Sequence, residues 1–254
     1  MKFEHTEVFN FEGALRGMRN PKNSWSKSDS NFSDDFCHIP EQTNCKDCPL
    51  FMGFEKPCAP VIGENDMKLA TALIRGGSEH RKFLRQIFVS VDITAPLYWW
   101  KEFDTYKVGT VANSTSTMHK LTSNPITLEC FEIDDYDGIP EKYNIDHTNH
   151  NTMVNNIIVW LEHLRNRYLA TKDKKYWKEL IRWLPESWLQ TRTVTMNYEN
   201  ILTICKQRTH HKLNEWSGSD DSSKPNFISW AKTLPYAKEF IFQQEECDNE
   251  KTLA

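Results

Sequence analysis

The clearest pattern along the chain is a change of hydrophobic period near residue 95. Apolar β-branched residues occupy every second position from Ile87 to Ile93. A period of two predicts a strand with one face in the core. Pro96 ends that strand and suits the first turn of a helix, so the aromatic run after it predicts a helix from Leu97 to about Phe103. The chain therefore contains a strand that passes directly into an aromatic helix.

Other segments show one of the same two periods. Alternation predicts a second strand from Leu189 to Met196, and Asn197 after it suits a helix cap. Apolar residues at helical spacing predict the remaining helices. These cover Met67–Ile74, Met153–Leu169, Lys174–Trp183, a helix after Asn197 that buries Ile201, Leu202 and Cys205, and a closing helix over Phe227–Phe242.

Polar stretches separate these elements. We interpret Asn20–Asp35 and Ser217–Pro225 as loops, Asp134–Asn151 as an acidic turn-rich segment, and the residues after Gln243 as an acidic tail. The stretch Val108–His119 is crowded with small hydroxyl residues, which favour turns and helix caps. The same hydroxyls are suited to a phosphate or a sugar, and both interpretations stay open.

Four of the seven cysteines lie close together in a proline-rich segment. The two-residue gap between Cys45 and Cys48 allows two thiolates to bind one tetrahedral ion such as Zn²⁺, and Cys37 (or His38) with Cys58 would complete the site. The alternative is a surface insertion at about residues 30–62 with free thiols. The chain shows no export signal, so a disulfide framework is the poorer explanation.

Length and charge narrow the possible functions. A chain of 254 residues buries a sizeable core, and we predict a single domain over residues 1–254. Its formal charge of -4 disfavours a protein that coats duplex nucleic acid, but allows a local pocket for a nucleotide. No stretch approaches the roughly 20 apolar residues that span a bilayer, and the N-terminus lacks the apolar core of a signal peptide. These features predict a cytoplasmic protein without membrane segments.

Two blocks of the sequence resemble the flavin-dependent thymidylate synthases. In that family a strand ends in Ala-Pro, an aromatic helix follows, and the signature Arg-His-Arg, seven residues, Ser comes next. Here Ala95-Pro96 leads without a gap to Thr105-Tyr106-Lys107, seven residues and Thr115. The second block is Leu184-Pro185, a strand, Asn197 and a helix carrying Arg208, at the intervals found in the family. The resemblance covers roughly Asp66–Lys120 and Trp177–Trp216.

This resemblance implies a fold and a reaction. The implied fold is α+β, with a central, mostly antiparallel sheet flanked by helices, assembled as a homotetramer. The implied ligands are FAD and a pyrimidine nucleotide. The implied reaction moves a one-carbon unit from methylenetetrahydrofolate to C5 of dUMP, with NADPH as a further co-substrate and the flavin supplying hydride.

The resemblance also implies the site residues. Arg208 stands where the family keeps the cation that stabilises negative charge on the pyrimidine, and it is the expected catalytic residue. The expected nucleotide-binding residues are Glu102, Thr105, Lys107, Asn113, Thr115, Ser116, Thr117 and Arg208. The expected cofactor-binding residues are Thr105, Tyr106, Lys107, Asn197, Glu199 and Lys212.

The signature itself departs from the family pattern. Thr105, Tyr106 and Lys107 replace Arg, His and Arg, and Lys lacks the bidentate fork of Arg. Glu199 replaces the Arg that faces an FAD phosphate. We expect this charge reversal to repel FAD unless another cation, such as Lys212 or Arg192, compensates.

Three hypotheses follow from the sequence. The first is a divergent flavin enzyme that acts on a pyrimidine deoxynucleotide such as dUMP. The second is a non-catalytic protein that kept the nucleotide cleft, lost flavin chemistry and senses or sequesters a nucleotide. The third is a nucleic-acid binder that uses the cysteine cluster as a zinc module, which the equal numbers of acidic and basic residues around the cluster disfavour.

Overall fold

Residues 1–32, 60–133, 150–218 and 222–243 are described by a computed structural model of the chain. The predicted cysteine cluster, most of the acidic stretch that begins at Asp134, and the tail after Gln243 lie outside the described residues. The metal site proposed for Cys37, Cys45, Cys48 and Cys58 therefore stays a prediction.

The described residues form an α+β fold, in agreement with the expectation from the sequence. A four-stranded antiparallel sheet has the strand order β1-β2-β4-β3. Its strands are β1 (Lys2–Phe9), β2 (Phe88–Pro96), β3 (Val111–Ser114) and β4 (Leu189–Asn197). The helices of the described chain are α1 (Phe11–Arg19), α2 (Glu64–Arg75), α3 (Leu97–Phe103), α4 (His150–Thr171), α5 (Lys174–Arg182), α6 (Tyr198–Arg208), α7 (Asn214–Ser217), α8 (Phe227–Ala231) and α9 (Ala237–Phe240).

The chain divides into two compact units. The first unit comprises Met1–Ile93, Tyr106–Ala112 and Thr193–Ala254, and the second comprises Thr94–Thr105 and Asn113–Arg192. Strand β2 passes from the first unit to the second after Ile93, and β4 passes back after Arg192.

Strand β2 forms where the alternation predicts it. Val89, Val91 and Ile93 are fully buried, whereas Ser90 and Asp92 on the opposite face are partly exposed. Pro96 ends the strand because it has no N–H for a further ladder bond, and α3 begins at the next residue.

Side-chain pairs fix the register of β2 against β4. Within the first unit the Thr193 hydroxyl donates to Asp92 at 2.5 Å. Within the second unit the hydroxyls of Thr94 and Thr191 are 2.7 Å apart. Residue 92 thus lies opposite 193 and residue 94 opposite 191, as an antiparallel pair requires.

An aromatic core fills the first unit. The Phe11 ring in α1 meets the rings of Tyr198 and Phe240 at centroid distances of 5.7 and 6.4 Å. The Tyr198 hydroxyl donates to the Pro235 carbonyl at 2.7 Å. Burial raises the pKa of Tyr198 well above its ordinary value, so this hydroxyl remains a protonated donor.

Helix α2 buries a carboxylate as well as its apolar face. Ala70 and Ile74 are buried, as the spacing predicts, and so is Asp66, which the sequence did not single out. Arg19 Nε lies 2.5 Å from Asp66 Oδ1. The hydroxyls of Ser28 and Ser30 donate to Asp66 Oδ2 at 2.7 and 2.6 Å. This cluster fastens the segment after α1 to the start of α2.

The second unit has its own apolar core. The two consecutive helices α4 and α5 pack against each other; α4 contributes the buried Leu161 and Leu164, and α5 contributes Leu180. The predicted helices over Met153–Leu169 and Lys174–Trp183 are confirmed, although α4 extends past both predicted ends and α5 ends at Arg182, one residue before the predicted end. The buried cluster is formed by Leu121, Ile126, Phe131, Leu161, Leu164 and Leu180.

Three regions differ from the sequence-based expectation. The predicted closing helix is two short helices, α8 and α9, because Pro235 cannot continue a helix and Tyr236 adopts a positive φ of 55°. The stretch Val108–His119 contains the strand β3, and not only turns. Strand β1 and helix α1 were not predicted. Strand β1 shows no regular alternation, whereas the buried residues of α1 do fall at helical spacing and were a signal in the sequence that was missed.

None of the helices in the described part of the chain combines the length and the apolar character that a membrane crossing requires.

Candidate functional site

The second unit carries one group of the expected nucleotide-binding residues at the end of α3. This helix ends at Phe103, and the Thr105 hydroxyl donates to the Glu102 carbonyl at 2.7 Å. The Thr105 N–H contacts the same carbonyl at 3.1 Å. Thr105 is exposed, and its hydroxyl oxygen keeps its acceptor capacity for a ligand.

A further group follows the edge strand β3, which includes Asn113. The Thr115 N–H donates to the Thr191 carbonyl of β4 at 2.9 Å, so pairing extends one residue past the strand. Beyond it, the Ser116 hydroxyl accepts from the His119 N–H at 3.0 Å and closes a turn. Its O–H remains able to donate, as a phosphate-binding hydroxyl must. The turn that contains Thr115, Ser116 and Thr117 is hereafter the hydroxyl turn.

The first unit brings Tyr106 and Arg208 together. Arg208 Nε donates to the Tyr106 hydroxyl at 2.9 Å. The guanidinium carbon lies 5.6 Å from the centre of the Tyr106 ring and 4.7 Å from that of Trp216. Trp216, in the short helix α7, is fully buried and meets Tyr106 edge-on. Two aromatic rings and a phenol therefore fix the orientation of Arg208.

The start of α6 is tied to the segment that carries Lys107. The Asn197 side chain accepts from the Asn200 N–H at 2.9 Å, which confirms the predicted cap, and Asn200 returns the bond to the Asn197 N–H. The Asn200 amide also donates to the Val108 carbonyl at 2.7 Å. Gly109 follows with a φ of +78°, and a Cβ there would meet Asn200 Oδ1 at 2.9 Å. Lys107 itself is exposed.

Glu199 forms a bidentate ion pair with Arg81. Arg81 Nε and one terminal nitrogen donate to the two carboxylate oxygens at 2.8 and 2.9 Å. The side chains are only 11% and 14% exposed. The cation that compensates Glu199 is therefore Arg81. The sequence had suggested Lys212 or Arg192 for this role.

The two cations named for that role are placed elsewhere. Arg192 donates from Nε to Gln190 at 3.0 Å and from a terminal nitrogen to Asp104 at 2.7 Å. Its guanidinium also covers the Trp100 ring at 4.2 Å. Lys212 is exposed beyond the end of α6.

These contacts decide how well the residues fit FAD. At residue 199 they do not fit an FAD phosphate, because a carboxylate stands there and both of its oxygens are used by Arg81. Asn197 is 8% exposed and its side-chain oxygen caps α6. Lys107 and Lys212 are the exposed cations among the expected cofactor-binding residues.

The part of the chain that the structure describes contains no candidate metal site. Within residues 1–32, 60–133, 150–218 and 222–243, no three His, Cys, Asp or Glu side chains are grouped to hold an ion. His211 accepts from the Leu213 N–H through Nδ1 at 3.1 Å and meets Trp216 edge-on, so its ring serves local packing.

The structure adds residues that the sequence did not single out, namely Arg81, Trp216 and Gln190. Gln190 had a signal in the sequence, because it shares the face of β4 with the buried Val194 and Met196. A polar residue in a core-facing register needs a hydrogen-bonding reason. Arg81 had none, since it lies in a polar segment without a period.

Comparison with known proteins supports the fold. No protein-family model matches the sequence, and no curated protein does. Solved structures do match. The chain is similar to the flavin-dependent thymidylate synthase of Helicobacter pylori complexed with FAD and dUMP, at 15% identity and a TM-score of 0.56, over 96% of this chain and 99% of that chain.

A second structure of the Helicobacter pylori enzyme with FAD and dUMP gives a TM-score of 0.57 at 15% identity, over 96% of this chain and 98% of that chain. A UMP/dUMP methylase from Streptomyces cacaoi bound with 5-Br UMP gives 0.45 at 14% identity, over 69% of this chain and 84% of that chain. At such identities a likeness carries information on fold and not on activity. The chain therefore has the fold of the flavin-dependent thymidylate synthases.

Proposed function

We propose that this chain binds a pyrimidine deoxynucleotide such as dUMP, with Arg208 as the cation that faces the base. The observation that carries the proposal is the fixed guanidinium of Arg208, which the Tyr106 hydroxyl and the faces of Tyr106 and Trp216 hold. A pre-oriented cation loses little conformational freedom when a ligand arrives. The dUMP bound to the structurally similar Helicobacter pylori enzyme also supports a pyrimidine nucleotide as the ligand.

Within this proposal, the hydroxyl turn and Lys107 serve the phosphate, and Glu102, Thr105 and Asn113 serve the rest of the nucleotide. Hydroxyl groups and backbone N–H groups bind phosphate without a full positive charge. The resulting affinity depends on hydrogen-bond geometry more than on net charge. A homotetramer, implied by the resemblance, is part of the same proposal.

The catalytic form of the proposal is transfer of a one-carbon unit to C5 of the nucleotide, with FAD, methylenetetrahydrofolate and NADPH. Arg208 supports this form, because a guanidinium beside the pyrimidine stabilises the negative charge that develops as C5 becomes nucleophilic. FAD in the Helicobacter pylori structure supports the cofactor.

A second form is nucleotide binding without flavin chemistry, for sensing or sequestration. The specific observation in its favour is the Arg81–Glu199 ion pair, because the resemblance implies a cation at residue 199 and this chain has a neutralised carboxylate there. Nucleotide binding is common to both forms, and flavin binding separates them.

The test of nucleotide binding is calorimetric titration of dUMP into the wild type and the R208Q variant. We expect at least tenfold weaker binding to R208Q, because the variant loses a charge-assisted contact worth about 1.5 kcal/mol or more. The matched control is R75Q, which removes the exposed arginine in the last turn of α2. Equal affinities of R208Q and R75Q for dUMP, or no binding of any pyrimidine nucleotide to the wild type, would contradict the proposal.

The test of the catalytic form is the visible absorption of the protein after reconstitution with FAD and removal of the unbound flavin. A retained flavin spectrum supports one-carbon transfer and leads to an assay of methyl incorporation into dUMP. Retained dUMP without flavin supports the binding form.

A further inference from the structure

Two polar residues of β4, the buried Gln190 and the partly buried Arg192, connect two separate segments that we assign to the nucleotide. Gln190 is 7% exposed, and its amide nitrogen donates to the Thr115 carbonyl at 2.8 Å. Its amide oxygen accepts from Arg192 Nε at 3.0 Å. Arg192 in turn donates to Asp104, next to Thr105, at 2.7 Å. One chain of hydrogen bonds thus runs from the turn after α3 to the hydroxyl turn, entirely within the second unit.

Other contacts hold this chain of bonds rigid. Trp100 is 1% exposed, and its indole N–H donates to the Gln190 carbonyl at 2.9 Å. The Arg192 guanidinium lies 4.2 Å from the centre of the Trp100 ring. The Thr115 N–H is bonded to the Thr191 carbonyl. The peptide groups on both sides of Thr115 are therefore anchored to β4.

The sequence register shows that these polar residues need an explanation. Gln190 and Arg192 occupy the face of β4 on which Val194 and Met196 are fully buried. Placing an amide and a guanidinium in that register costs desolvation free energy, which apolar side chains would avoid. The compensation visible in the structure is control over the position of Thr115 and Asp104.

We propose that Gln190 and Arg192 are positioning residues that set the hydroxyl turn for the phosphate of the nucleotide. The inference rests on the proposed function. Gln190 acts through the Thr115 carbonyl and does not itself contact the ligand. Because hydrogen bonds from hydroxyl groups weaken steeply as distance and angle change, a shift of the turn weakens its bonds to the phosphate even though Lys107 keeps its charge.

The test compares dUMP with deoxyuridine, which lacks the phosphate. The Q190L variant has no amide and cannot hold Thr115. We expect about tenfold weaker binding of dUMP, the loss of roughly one good hydrogen bond, and less than a twofold change for deoxyuridine. A purely structural role would weaken both ligands equally. Amide hydrogen exchange over residues 114–119 is expected to rise in the same variant.

Two further variants control for misfolding of Q190L and for general effects of substitutions in β4. In Q190E the carboxylate still accepts from Arg192 but has no N–H for the Thr115 carbonyl, so the same selective loss of dUMP is expected even where Q190L fails to fold. The matched control is T193V, which removes a hydroxyl of β4 bonded to Asp92 on the opposite face. Its affinity ratio between dUMP and deoxyuridine should equal that of the wild type.

The outcomes separate this inference from the proposed function. Wild type that binds dUMP while Q190L and Q190E bind it equally well overturns the positioning role and leaves the proposed function standing. Equal weakening of dUMP and deoxyuridine also overturns it. Wild type that binds neither ligand overturns both.

Discussion

Each unit contains a buried polar residue, Asp66 in the first and Gln190 in the second, and the two are hydrogen-bonded to different kinds of partner. In the first unit, Asp66 is fully buried and receives Arg19, Ser28 and Ser30. In the second unit, Gln190 and Arg192 bond to Thr115 and Asp104. The partners of Asp66 include no residue expected to meet a ligand, whereas the partners of Gln190 and Arg192 belong to segments that we assign to the nucleotide.

The difference teaches that burial alone does not reveal what a polar group is for. A carboxylate surrounded by scaffold partners specifies the fold, so its loss should lower stability and leave binding intact. An amide bonded to a ligand-binding turn should show the reverse order of effects. The predictions below test that separation.

The largest loss of stability is expected for D66N. The substitution removes the charge that compensates Arg19, which is 4% exposed, and breaking a buried ion pair costs about 3 kcal/mol or more. Urea denaturation measures the free energy of unfolding. The control is E64Q, whose wild-type partner Lys68 is exposed, so the loss of this surface ion pair should change the free energy of unfolding little. If D66N lowers the free energy of unfolding no more than E64Q does, Asp66 does not stabilise the fold as proposed, and the contrast with Gln190 fails.

The next effect is expected for E199Q. It leaves Arg81 nearly buried without its carboxylate and should lower the free energy of unfolding by about 2 kcal/mol. The same variant examines the cofactor, because it removes the negative charge at residue 199. If that charge repels FAD, E199Q retains more FAD than the wild type. Unchanged retention would mean that Glu199 does not control flavin binding.

A smaller, pH-dependent effect is expected from Asp66. Burial raises the pKa of this carboxyl. Hydrogen bonds from Ser30 and Ser28 and the ion pair with Arg19 together lower it by more than burial raises it, so the net pKa is below the ordinary value. The ionised Asp66 carboxylate makes its full contribution to the free energy of unfolding above the unfolded-state pKa of about 3.9. It is lost as pH falls through the folded-state pKa.

The stability difference between wild type and D66N should therefore shrink by about 1.4 kcal/mol for each pH unit below the unfolded-state pKa. The shrinkage ends at the folded-state pKa. Urea denaturation of both proteins between neutral pH and pH of about 2.5 measures it. A difference that stays constant over this range would show that the Asp66 carboxylate contributes no pH-dependent stability.

The fourth prediction concerns R192K, on the ligand side of the comparison. Lysine keeps the charge but lacks the planar fork that reaches both Gln190 and Asp104. We expect about fivefold weaker dUMP binding, or about 1 kcal/mol, with little change in the free energy of unfolding. A large loss of stability with unchanged affinity would place Arg192 with Asp66 among the scaffold residues.

The smallest effect is expected for Y106F. It removes the hydroxyl that accepts from Arg208 and keeps the ring under the guanidinium. We expect about threefold weaker dUMP binding, because one neutral acceptor is lost while the cation stays. Y168F, in α4, is the control, and its dUMP affinity should not change. Identical affinities of the two variants would show that the phenol does not orient Arg208.

The sequence predicted the elements whose cause is local. The strand-to-helix transition at Pro96 and the cap at Asn197 follow from the properties of single residues and were found where expected. The buried positions Ile201, Leu202 and Cys205 of α6 follow from helical spacing and are also confirmed. Local rules suffice there because each such residue acts on its immediate neighbours.

The remaining features depend on partners far along the chain. Arg81 and Glu199 are 118 positions apart, and no local pattern marks either of them. Strand β3 is exposed at all four positions, so burial left no alternation to read in its sequence. The roles of the signature residues follow from the resemblance and not from local patterns, because ligand binding depends on residues that are distant in the sequence.

Gly109 has a consequence for how such a sequence can change over evolutionary time. Its neighbour Val108 is 89% exposed, so we expect substitutions of that side chain to cost little stability. At Gly109, any side chain would meet the amides of Asn200 and Asn197 in a backbone conformation that disfavours L-residues. Descendants of this chain should therefore vary at residue 108 while glycine persists at residue 109 for as long as asparagines occupy residues 197 and 200.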